Sequence, residues 1–97
     1  MTPSKSLQLN RGRLREIFAR FNVSNPRLFG SVAREEDDER SDIDILVDAG
    51  KGVSFFDSAD LETELQSVLG FKVNVTTIRG LADDIRRNVE QDLRPLF

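Results

Sequence analysis

Apolar side chains recur along this chain with two periods, and the switches between them mark out alternating helices and strands. Leu14, Ile17, Phe18 and Phe21 stand at i, i+3, i+4 and i+7, which predicts a helix over Asn10 to Asn22. Asn10 is its expected N-cap and the cluster Asn22 to Pro26 its stop. A second helix is expected over Ser54 to Leu69. Phe55 or Phe56, Leu61, Leu65, Val68 and Leu69 fall on its apolar side, with Gly70 just beyond its end. Leu81, Ile85, Val89 and Leu93 recur every fourth residue and predict a last helix, Leu81 to Leu93, closed by Pro95. Between these helices the period falls to two. Ile43, Ile45 and Val47 alternate with Asp42, Asp44 and Leu46, and Val73 and Val75 alternate with Asn74 and Thr76, so Asp42 to Asp48 and Phe71 to Thr77 read as strands.

The remaining stretches are short. Pro26 to Phe29 reads as a buried strand ended by Gly30, and Ser31 to Arg34 as the first turn of a short helix. Ala49 to Val53 and Arg79-Gly80 read as turns. Residues 1–9, without periodicity, are expected to form a loose arm, and Leu96 and Phe97 an apolar tail docked on the domain's own core. The order is helix, strand, short helix, strand, helix, strand, helix. That is the α+β class: a small mixed β-sheet with helices packed on one face, leaving the other face for Asp42 and Asp44. If the strand Phe71 to Thr77 lies beside Asp42 to Asp48 with their apolar sides aligned, Asn74 joins the two acids. The 97 residues suffice for a single domain, 1–97, with one modest core.

Composition narrows the chemistry. With no Cys and no His, thiolate zinc sites, Cys nucleophiles and imidazole bases are excluded, leaving carboxylates, hydroxyls, Lys and Arg. No apolar run approaches the roughly 18 residues of a membrane span and no signal-peptide pattern opens the chain, so no membrane partner and a cytoplasmic location are expected. Charge is unevenly spread: residues 1–34 carry seven Lys/Arg against one acid, and residues 35–64 carry two against twelve. This suits a site that holds an anion through a divalent cation, although solvated helix faces produce the same statistics. Arg11, Arg13, Arg15 and Arg20 lie mostly off the apolar stripe and lack interleaved aromatic rings, so direct nucleic-acid binding is not expected. Glu35 to Arg40 opens with five consecutive acids and is expected to be an exposed, mobile loop.

Two features concentrate the candidate chemistry. An Asp-x-Asp pair at the mouth of an apolar strand is unusual, because buried carboxylates need cations or donors around them. Alternation sets Asp42 and Asp44 on one face about 6–7 Å apart, close enough to share a cation. Gly30-Ser31, at a strand-to-helix corner, permits close backbone approach to phosphate. Gly30-Ser31, ten intervening residues and Asp42-Ile43-Asp44 together resemble the Gly-Ser-x10-Asp-x-Asp signature of the DNA polymerase beta-like nucleotidyltransferase superfamily. Phe29 to Arg34 and Ser41 to Val47 resemble its smallest branch, the minimal nucleotidyltransferases (MNT), and the element order agrees with that fold over nearly the whole chain.

The resemblance implies that Gly30 and Ser31 bind the triphosphate of ATP, with Arg34 a candidate phosphate contact. It also implies that Asp42 and Asp44 ligate two Mg2+ ions as catalytic and metal-binding residues. One position departs from the pattern. Active members carry a third carboxylate on the next long strand, where this chain has Lys72-Val73-Asn74-Val75, so Asn74 occupies that catalytic place. An amide brings no negative charge and cannot act as a base. Small MNT proteins also resemble antitoxins paired with HEPN-family toxin ribonucleases, which implies a HEPN partner and transfer of AMP to it. The alternative is a catalytically weakened MNT module that neutralises its partner by occupying it. tRNA or antibiotic modification is a remote third reading, since the chain has no room for a second lobe.

Overall fold

The computed structural model describes residues 1–50, 55–77 and 83–97. The elements run α1 Pro3–Leu9, α2 Arg11–Arg20, β1 Val23–Phe29, α3 Gly30–Ala33, β2 Ile43–Ala49, α4 Phe55–Leu69, β3 Val73–Thr77, α5 Asp83–Asp92 and β4 Arg94–Pro95. The strands form one mixed sheet in the order β3-β2-β1-β4, with β1 antiparallel to β2 and β4, and β2 parallel to β3. The expected turns Ala49 to Val53 and Arg79-Gly80 extend beyond or lie outside the described residues, as do Leu81 and the side chains of Phe55, Phe56 and Ile85.

β2 is the interior strand that the alternation predicts. Ile43, Ile45 and Val47 are fully buried and join Leu14, Ile17, Phe18, Leu61, Leu65, Leu69 and Val73 in one cluster between the sheet and helices α1, α2 and α4. α4 ends where expected, with Gly70 at φ +77° donating its N–H to the Gln66 carbonyl at 2.9 Å. Leu46 and Val89 are buried outside that cluster, and α5 rests against β1 and α3. Leu96 and Phe97 pack on the core as expected. The Phe97 ring stands edge-on to Phe18 at 5.9 Å, and the Arg15 guanidinium lies 5.2 Å from its centroid.

Three expectations are corrected. Residues 1–9 are not a loose arm: Pro3–Leu9 is helical, capped by Thr2, whose Oγ1 accepts from the Lys5 N–H at 3.3 Å. Leu7 enters the core, and the buried Ser6 hydroxyl donates to the Leu69 carbonyl at 2.7 Å. These are tertiary contacts, invisible to local periodicity. Asn10 then serves two helices. Its side chain donates back to the Ser6 carbonyl at 2.8 Å, so it closes α1 and makes no side-chain cap on α2. Secondly, Asn22 to Pro26 is not only a helix stop, because β1 already begins at Val23. Asn25 adopts φ +51°, and pairing with β2 shifts register between Ser24 and Arg27, which lets Pro26 lie inside a paired strand. Thirdly, the acidic segment 35–40 is not wholly solvent-facing. Asp37 is half-buried and accepts from the backbone N–H of Ser4 at 3.0 Å and from its hydroxyl at 2.7 Å.

Candidate functional site

The site begins where β1 stops. Phe29 ends the strand in extended conformation (φ −142°, ψ 179°), and Gly30 turns the chain into α3 with φ +74°, a left-handed value that residues bearing a Cβ rarely adopt. Register then lines up three strands: Phe29 pairs with Asp44, and Asp44 with Asn74. The Gly-Ser corner, the second acid and the substituted position therefore form one row across the sheet. This is the neighbour relation that alternation predicts for Asn74.

Contacts within the row are close. A Cβ placed on Gly30 would lie 2.7 Å from Asp44 Oδ2, so only glycine allows the carboxylate to approach this corner. The other oxygen, Asp44 Oδ1, accepts from Asn74 Nδ2 at 3.0 Å. Asp42 and Ser31 are both half-buried. Asp42 precedes β2 by one residue, and the bond from the Ile43 N–H to the Lys72 carbonyl at 2.9 Å holds that entry. Strand parity puts Asp42 on the face of Asp44, about 6–7 Å along the chain.

A donor set of oxygen atoms, without sulfur or imidazole, suits a hard divalent cation such as Mg2+. Asp42 and Asp44 fit that role, and Asp44 Oδ2 faces the glycine corner with no Cβ between. Among the described residues no group of three or more His, Cys, Asp or Glu is placed to hold a metal. Asn74 thus leaves the pair without a third anion. Asp48 does not supply one, because it accepts from Arg27 Nη2 at 2.6 Å further along β2.

Arg34 stands just past α3, 43% exposed, donating to Glu36 at 3.1 Å and to Asp92 at 3.0 Å. Hydrogen bonds to Glu36 and then Asp92 raise its already high pKa against the opposing effect of desolvation, so it is a permanent cation that ties α3 to α5. Sequence reasoning missed Arg27. Its pairing with Leu46 puts it on the face of Asp44, and its buried Nε has no partner among the described residues. Alternation within β1 carries that signal, since Arg27 and Phe29 share parity.

The sequence and the fold of this chain are similar to those of known proteins. The family model described as Polymerase beta, Nucleotidyltransferase matches residues 13–97. A Methanocaldococcus jannaschii protein provisionally named a protein adenylyltransferase is 33% identical over 93 residues, which cover 95% of each chain. A solved structure provisionally described as a minimal nucleotidyltransferase superposes with a TM-score of 0.77 at 37% identity, covering 92% of this chain and 94% of that one. A chain from the complex of a tri-AMPylated Shewanella oneidensis HEPN toxin with its MNT antitoxin shares the fold. Its TM-score is 0.70 at 22% identity, over 94% of this chain and 71% of that one.

Proposed function

The chain belongs to the polymerase beta nucleotidyltransferase family, as a minimal nucleotidyltransferase, and on that premise we propose that it transfers AMP from ATP to a HEPN-family toxin and acts as the antitoxin of the pair. The observation that carries this reading is the row Gly30, Asp44, Asn74, in which the second acid of the Asp42-Ile43-Asp44 pair lies against the Gly30 corner. Relatives named as protein adenylyltransferases and the fold shared with an MNT antitoxin support the choice of reaction and partner.

In this reading Gly30 and Ser31 present backbone to the triphosphate of ATP, and Arg34 adds a positive charge beside it. Asp42 and Asp44 would hold two Mg2+ ions with nucleotide bound, and these would supply charge neutralisation at the phosphates. A hydroxyl oxygen of the partner bonds to the α-phosphorus, the bond to the β-phosphate oxygen breaks, and pyrophosphate leaves. The hydroxyl proton passes to a substrate phosphate oxygen, because Asn74 cannot accept it.

Asn74 favours a second reading, a weakened module that silences its partner by complex formation. One experiment separates the two. The protein, labelled ATP, Mg2+ and a purified HEPN-family toxin are incubated together, with Asp44→Ala in parallel. Transfer of label by the wild type that Asp44→Ala abolishes supports the enzyme. Neutralisation of the partner that is undiminished in Asp44→Ala, without label transfer, supports the binding module.

A further inference from the structure

We propose that Asn74 is a positioning residue: it holds Asp44 by a hydrogen bond from outside the metal's coordination shell, so that without nucleotide the site takes one divalent cation, on Asp42 and Asp44 Oδ2. This rests on the reading of Asp42 and Asp44 as metal ligands and goes beyond it in dividing the two oxygens of Asp44 between separate tasks. Oδ1 accepts from the Asn74 amide N–H at 3.0 Å, while Oδ2 lies toward Gly30. The nitrogen end of an amide is a donor without a lone pair for a cation. While the bond to Oδ1 persists, the amide oxygen points away from Asp44. Turning the amide over would set two acceptor oxygens against each other at the same spacing.

An inner-shell Asn74 would therefore forfeit a charge-assisted hydrogen bond and supply only a neutral ligand in return. A donor that orients a liganding carboxylate from outside the shell keeps that bond and fixes the side chain's rotamer. Position 74 is suited to this because β2 and β3 are paired directly, Asp44 with Asn74, so the two side chains rise side by side from the sheet. With two carboxylates and no third within the row, the formal charge of the donor set matches one divalent ion.

The test is Mg2+ calorimetry without nucleotide on the wild type and four variants, with thermal unfolding in EDTA verifying that each is folded. The wild type is expected to bind one ion. Asn74→Ala is expected to bind one ion about 10- to 100-fold more weakly, the usual cost of losing an outer-shell partner. Asp44→Ala loses binding. Asn74→Asp unfolds at lower temperature in EDTA, because an acceptor then replaces the donor facing Asp44 and the hydrogen bond is lost, and it binds Mg2+ more tightly than the wild type. The exchange Asp44→Asn with Asn74→Asp restores the hydrogen bond with its ends reversed. It is expected to melt near the wild type while losing Mg2+ binding. The proposal is overturned if Asn74→Ala abolishes binding as Asp44→Ala does, if it leaves affinity unchanged, or if the exchanged pair binds like the wild type. A wild type that binds no Mg2+ at all would overturn the metal-site reading together with this one.

Discussion

At the scale of single residues, two glycines with nearly the same backbone angle separate strain from function. Gly30 and Gly70 have φ +74° and +77°, so an added Cβ strains either backbone by about 1–3 kcal/mol. Nothing lies within 4 Å of a Cβ at Gly70, whereas one at Gly30 would meet Asp44 Oδ2 at 2.7 Å. Gly70→Ala is thus expected to cost stability alone, read as a lower denaturation midpoint with unchanged Mg2+ affinity. Gly30→Ala is expected to cost stability and, by pushing Asp44 out of position, to weaken Mg2+ and ATP binding as well. Equal ligand affinity in the two variants would show that the close approach at Gly30 has no part in binding. Asn74 belongs to the same scale. Its identity and its face were legible from alternation alone, but the direction of its amide was not, since that depends on a partner thirty residues away in the chain.

At the scale of elements, legibility followed locality. β2, β3 and α4 were read correctly because their apolar positions repeat within the element and end at turn residues. α1 was missed because most of what stabilises it comes from elsewhere: the Leu69 carbonyl, the core around Leu7 and the Asp37 carboxylate. Thr2 before Pro3 was the local sign of a capped helix start, and it is weak evidence in a stretch without a stripe. β4 is two residues long, and pairing of Arg94 and Pro95 with Leu28 and Arg27 defines it, so no local pattern could announce it. The contact between α1 and the acidic segment has a testable pH dependence. Desolvation pushes the Asp37 carboxyl up, but hydrogen bonds from the Ser4 hydroxyl, the Ser4 N–H and its own backbone outweigh it and leave the pKa below the ordinary value. A lowered folded-state pKa stabilises above the unfolded value of about 3.9, and that contribution fades as pH falls through the folded value. Wild type is therefore expected to melt above Asp37→Asn at neutral pH, with the gap closing below about pH 4. A gap that persists to pH 2 would remove this account of the Asp37 contact.

At the scale of the whole molecule, the main core and the candidate site lie on opposite faces of β2, with the buried Leu46 sharing the face of Asp44. One face of β2 presents Ile43, Ile45 and Val47 to the main core, and the other carries Asp44 beside Asn74 and the Gly30 corner. Phe97 packs on the core face, edge-on to Phe18 and covered by Arg15. Because its ring is half-buried, Phe97→Ala should cost about 2 kcal/mol, below the range for a fully buried Phe. For a domain of this size that corresponds to a fall in melting temperature of roughly 8–16 °C. Mg2+ affinity at temperatures where the variant is folded should stay that of the wild type, since the ring of Phe97 meets Phe18 and Arg15 on the core face. Calorimetry and thermal unfolding on the same preparation check both halves of the prediction. A loss of affinity that tracks the loss of melting temperature would mean that the two faces are coupled through β2, and that packing of the core sets the position of Asp44.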